Sequence, residues 1–177
     1  MDMDYRPTNI APLSETMTNP HFYERYRELA EREELVIDGS IKMVHSFYME
    51  TPYDMPNPEL VNTPRNLDYA VRNEFCDFCE SYGFGEIESA TQLAFAFGAY
   101  MKQHHNMRFY IDLQPDLPNR NFTLKKDLNG VQLSLYPLEY SLKVVAGERK
   151  FEDVINQLVE QEKNAPSVDA YLDQFLR

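Results

Sequence analysis

The sequence predicts an α+β fold. An antiparallel β-meander of three to four strands, over about residues 107–145, packs with an N-terminal helix, a central helical hairpin over about 64–105 and two C-terminal helices. Three observations lead there. Apolar stripes of helical period occupy both ends of the chain. Alternation of period two is concentrated in one later stretch. The two textures do not interleave as a βαβ protein requires, so helices and strands segregate.

Taken in order, residues 1–18 contain Pro7 and Pro12 and no periodicity, and read as an N-terminal arm, loose or laid over the body; residues 19–177 then form a single domain. Asn19-Pro20 is a cap followed by a ring that needs no amide proton. Phe22, Tyr23, Tyr26, Leu29 and Ala30 continue at helical spacing, which predicts a helix to about Glu33. Asp38-Gly39 is a turn signal, and Ile41, Met43, His45, Phe47 and Met49 alternate after it, which favours a strand, although Met43 and Val44 leave a helical reading open. Residues 51–62 carry Pro52, Pro56 and Pro58 and read as a loop.

Thr63-Pro64 repeats the capped start, and Leu67, Ala70, Val71, Phe75, Phe78, Cys79 and Tyr82 make one stripe. Gly83 and Gly85 end it, because glycine enters the left-handed turn without strain. The following helix, from about Glu86 to His105, is apolar almost all round over Leu93–Met101 and belongs in the interior. Met107, Phe109, Ile111 and Leu113, then Phe122 and Leu124, then Val131, Leu133 and Leu135 alternate with polar residues around an Asn129-Gly130 hairpin signal, which predicts a meander with one wet face. Tyr140, Leu142 and Val144 resume the alternation after Pro137. Phe151, Val154, Ile155, Leu158 and Val159, and then Val168, Tyr171, Leu172, Phe175 and Leu176, give the last two helices.

Composition narrows the function classes. Among 177 residues, 29 are acidic and 17 basic, a formal charge of −12 that repels phosphate and argues against direct nucleic-acid binding. An aromatic fraction of 13% excludes a disordered chain. The apolar run at Leu93–Met101 falls far short of the ~20 residues that span a bilayer, so no membrane association is expected. Met1–Arg6 lacks the basic start and apolar run of a secretory signal, and two cysteines are too few for a disulfide scaffold. The expected compartment is the cytoplasm.

Little in the sequence carries chemistry. Cys76-x-x-Cys79 is the recognisable motif, but it falls about three turns into a helix, where the amides that would stabilise a thiolate are already used. A zinc site there would need two more ligands, and His104-His105 lies ~15 Å or more further along the hairpin at 1.5 Å per residue. The cysteines therefore read as core residues, and the histidines as partners of the carbonyl end of their helix. His45 reads as half-buried and His21 as exposed. Glu74, Asp77 and Glu80 read as a solvated face. No phosphate loop, His-Glu-x-x-His or nucleophile elbow occurs. No catalytic residue, metal ligand or cofactor is therefore assigned.

The charge has a place. The helical segments and the N-terminal half carry the acid, whereas residues 106–147 are near neutral. Glu24, Glu28, Glu31, Glu34 and Asp38 are the expected partner-binding residues. They imply an acidic protein-binding regulator or inhibitor, without enzymatic activity, that docks a helical surface on a basic surface of another protein. In its sharpest form it imitates the charge of nucleic acid, as phage and mobile-element inhibitors of nucleases do. The alternatives are a small enzyme with a Tyr/Asp/Glu acid–base site between sheet and hairpin, and a structural or assembly subunit.

Overall fold

Helix α5 (Glu86–His105) is the element around which the chain closes: Leu93, Ala94, Phe95, Ala96, Phe97, Gly98 and Met101 are all buried along it. The computed structural model describes residues 8–11, 21–50, 61–128 and 131–164. On one side α5 meets a five-stranded antiparallel sheet of β1 (Thr8–Ala11), β2 (Tyr26–Glu28), β3 (Arg108–Asp112), β4 (Phe122–Leu128) and β5 (Val131–Leu135), in the order β1-β5-β4-β3-β2. Helices α2 (Glu31–Glu50) and α6 (Pro137–Val145) pack along α5, and α3 (Pro64–Arg72), α4 (Phe75–Ser81) and α7 (Phe151–Asn164) complete the helical layer. The molecule is thus α+β, with a meander β3-β4-β5 at the centre of its sheet and a helical hairpin against it.

The small residues of α5 explain the close approach of helix and sheet. A Cβ on Gly98 would lie 2.4 Å from the ring tip of Phe109, so any larger residue at that crossing must displace the ring. Phe95 meets Phe122 edge to face at 4.6 Å. Two side chains tie the helix to its neighbours through backbone carbonyls: Asn62 donates to Ala96 at 2.9 Å and Ser141 to Ala90 at 2.6 Å. Tyr48 and Tyr140 are buried, and their hydroxyls donate to the carbonyls of Asn66 and Lys150, which meets the need of a buried phenol for a partner.

The structure departs from the sequence reading in several places. The strand expected over 41–49 is part of α2, whose buried residues Ile37, Ser40, Val44, Phe47 and Tyr48 recur at helical spacing. Three acids in its first turn favour the helix N-terminus. Asp38 and Gly39 both sit within this helix, so they make no turn. The helix expected over 19–33 is reduced to α1 (Phe22–Arg25), because Tyr26–Glu28 pairs with β3, an override of local propensity by a partner more than eighty residues away. The strand expected at Tyr140–Val144 is α6, with Pro137 at its start and Tyr140, Ser141 and Val144 buried on one face. The helix expected from Thr63 to Tyr82 is interrupted where Glu74 takes a left-handed φ of 71°.

Other expectations agree. Thr63 accepts from the Asn66 amide at 3.1 Å and caps α3. Asn106, with φ 57°, ends α5. By contrast, Thr8–Ala11, inside the stretch expected to form an arm outside the domain, pairs with β5 and becomes an edge strand of the sheet, beyond the expected meander. The remainder of that arm, the Pro-rich 51–60 loop, the Asn129-Gly130 turn and the helix expected over 168–176 lie outside the described residues.

The sheet face turned away from α5 is polar, as the alternation implies, but it is not wet. Tyr110, Thr123, Lys125, Gln132 and Ser134 are buried there. Lys125 Nζ donates to Gln132 Oε1 at 3.0 Å and to Ser134 Oγ at 2.8 Å, and stands 4.3 Å from the centroid of the Tyr26 ring. An ammonium so desolvated requires such partners.

Candidate protein-docking site

The acidic stretch begins with two arginine clamps that set its geometry. Arg25 forks onto Asp112, with Nε to Oδ1 at 2.9 Å and Nη2 to Oδ2 at 3.0 Å, and also reaches Asp116 at 3.3 Å. The Asp112 bonds hold its guanidinium pKa above the ordinary value. Arg27 forks onto Glu33 at 2.7 and 3.0 Å. Glu33 in turn accepts from the Ala30 amide at 2.9 Å, satisfying a donor that the start of α2 would otherwise leave unpaired. The Arg27 bonds hold the Glu33 carboxyl below the usual carboxylate range. Together the clamps fix the passage from β2 into α2.

That passage shapes a cleft of about 650 Å³ beside the end of β2. Its apolar lining is Leu29, Ile37, Ala99 and Phe109. Its acidic lining is Glu28 from β2 and Glu34 and Asp38 from α2. Lys102 from α5 and Arg108 from β3 supply the basic groups, with Gln103 and Tyr110 between them. Arg108 hydrogen-bonds with Tyr110, and this bond and the nearby charge of Glu28 raise its pKa. Burial pushes the Tyr110 phenol upward, which makes it a less ready proton donor.

Three of the five partner-binding residues expected from the sequence therefore meet at one place. Glu34 and Asp38 do so because they are four residues apart on one helix face. Glu31, the first residue of α2, is exposed but does not line the cleft. Glu24 stands on α1, with its carboxylate 3.0 Å from His21 Nδ1. Lys102 and Arg108 had no local signal, since the turn from α5 into β3 brings them to the cleft.

The other candidates are placed as follows. Cys79 is buried, and desolvation pushes its thiol up to about 11; Cys76 is half-buried and pushed up by burial and by the charges of Glu86 and Asp77. Such thiols are poor nucleophiles. Alkylation of native protein by iodoacetamide at pH 8 is therefore expected to run about 100-fold slower than in 6 M guanidinium, as read by mass shift against time. Equal rates in the two conditions would contradict the burial assigned here. His104 and His105 end α5 beside Tyr100, with ring centroids 4.5 and 5.9 Å away, and burial lowers the pKa of His105. His45, expected half-buried, is exposed because residues 41–49 are helical, and His21 is exposed as expected. Among the described residues no group of three or more His, Cys, Asp or Glu side chains is placed to hold a metal ion, and no helix is long and apolar enough to cross a membrane. No protein-family model, no curated protein and no solved structure matches this chain.

Proposed function

We propose that this chain is an acidic protein-binding regulator or inhibitor that presents the α1-β2-α2 stretch to a basic surface of another protein. The observation that carries the reading is the convergence of Glu28, Glu34 and Asp38 on one cleft with an apolar lining. Carboxylates spread for solubility need no cavity between them. A cleft beside them lets a partner bury apolar area while its cations are matched, which couples affinity to charge. Among the described residues that line the cleft there is no histidine or cysteine, and Tyr110 is made less acidic by burial.

The test uses deca-lysine as the basic polypeptide. The triple variant Glu28→Lys/Glu34→Lys/Asp38→Lys is compared with a control triple of equal charge change, Glu80→Lys/Glu148→Lys/Glu160→Lys, at three exposed positions outside the cleft. Isothermal titration is expected to show about tenfold or greater loss for the first triple and a smaller loss for the second. Equal losses would reduce the interaction to overall charge.

A further inference from the structure

We propose that the cleft beside β2 is a site for a short peptide segment bearing a basic side chain next to a carboxylate. This rests on the docking reading above and names the chemistry that the partner must present. Three observations carry it. The volume, about 650 Å³, lies within the range of sites that enclose small ligands and exceeds what one side chain fills. The lining carries both signs from different elements: the acids come from α2 and β2, and the cations from α5 and β3, with Glu28 close enough to Arg108 to raise its pKa. Finally, Glu34, Asp38 and Lys102 enter none of the ion pairs found among the described residues, although both signs border the same cleft.

A basic side chain alone would meet Glu28, Glu34 and Asp38 but leave its ligand's neighbouring groups facing Lys102 and Arg108. A carboxylate alone would face the reverse difficulty. A segment carrying both signs matches the two sets at once, and like-charge contacts penalise segments with only one. The stem of an arginine or lysine is apolar and suits Leu29, Ile37, Ala99 and Phe109, while the head group stays with the carboxylates. Arginine is the better fit, since its planar fork engages carboxylates in pairs.

The probes are three blocked tetrapeptides titrated into the full chain and followed by methyl NMR: Ac-Ala-Arg-Asp-Ala-NH2, the same peptide with citrulline for arginine, and the same peptide with asparagine for aspartate. The first is expected to shift the methyls of Leu29, Ile37 and Ala99. Citrulline is expected to weaken it about tenfold and asparagine about fivefold. Lys102→Ala should shrink the aspartate–asparagine difference and keep the arginine–citrulline difference; Glu34→Gln/Asp38→Asn should do the opposite. Equal binding of the three peptides, shifts outside the cleft, or no shift with any peptide overturns the proposal. If the peptides leave the cleft unperturbed while deca-lysine binding still depends on Glu28, Glu34 and Asp38, this inference fails and the docking reading stands. If the peptides behave as expected and deca-lysine does not distinguish the two triples, the docking reading fails and the peptide site stands.

Discussion

Replacing Asp68 by alanine is expected to lower stability by about 3 kcal/mol, the largest effect of any single polar substitution considered. Asp68 projects from α3 and is 4% exposed. Its two oxygens accept from the Phe151 amide at 2.7 Å and the Glu152 amide at 3.1 Å, the first amides of α7. Those donors have no partner within their own helix, and the helix dipole favours an anion there. The contact joins elements more than eighty residues apart, so its loss loosens the docking of α7 as well as its start. Asp68→Asn is expected to cost about 2 kcal/mol, because the amide nitrogen cannot accept from an N–H, whereas each carboxyl oxygen keeps an acceptor lone pair in either protonation state. Burial pushes the Asp68 carboxyl above its ordinary 3.8, against the pull of the two amides. A raised folded-state pKa means that the ionisation-linked stability is fully present below the unfolded value and is lost as pH rises through the folded one. The gap between wild type and Asp68→Asn should therefore be wider at pH 4 than at pH 7. Urea unfolding midpoints at the two pH values, with unchanged slopes, measure both effects. A gap that narrows on acidification would reverse the sign assigned here.

Gly98→Ala is expected to destabilise by about 1–2 kcal/mol even though alanine is the better helix former by about 1 kcal/mol. The added methyl would stand 2.4 and 2.7 Å from two ring atoms of Phe109 and 3.3 Å from Leu124 Cδ1. The ring must move, and Phe109 also lines the cleft. Phe109→Leu in the same chain removes the colliding atoms, so the double variant should lose less stability than the two single changes summed. Strict additivity would show that helix α5 and strand β3 yield at this crossing without resistance.

How far the fold was legible depends on whether one period alone could be satisfied. Helices α5 and α7 and strands β3, β4 and β5 follow from long, unambiguous patterns, such as Phe151, Val154, Leu158 and their buried faces. Helix α2 was obscured because residues 41–49 satisfy both periods, and only the packing of Val44, Phe47 and Tyr48 decides between them. Strand β2 has three residues, and its existence rests on pairing with β3 and on the Arg25–Asp112 fork, neither of which has a local signature. Pro137 breaks a strand and opens a helix equally well. In the cleft, the acids were legible because they fall within one short stretch. Lys102, Arg108 and the apolar lining were not, since α2, α5, β3 and the connection between β2 and α2 supply them.

The claim that these acids form a docking face, as opposed to a diffuse charge, is tested most directly by the salt dependence of deca-lysine affinity. Wild type and the Glu80/Glu148/Glu160 control triple are expected to give steep, similar slopes of affinity against ionic strength, because their cleft carboxylates remain. The Glu28/Glu34/Asp38 triple should give a much flatter slope from a weaker starting affinity. Three parallel lines, displaced only by net charge, would contradict the account.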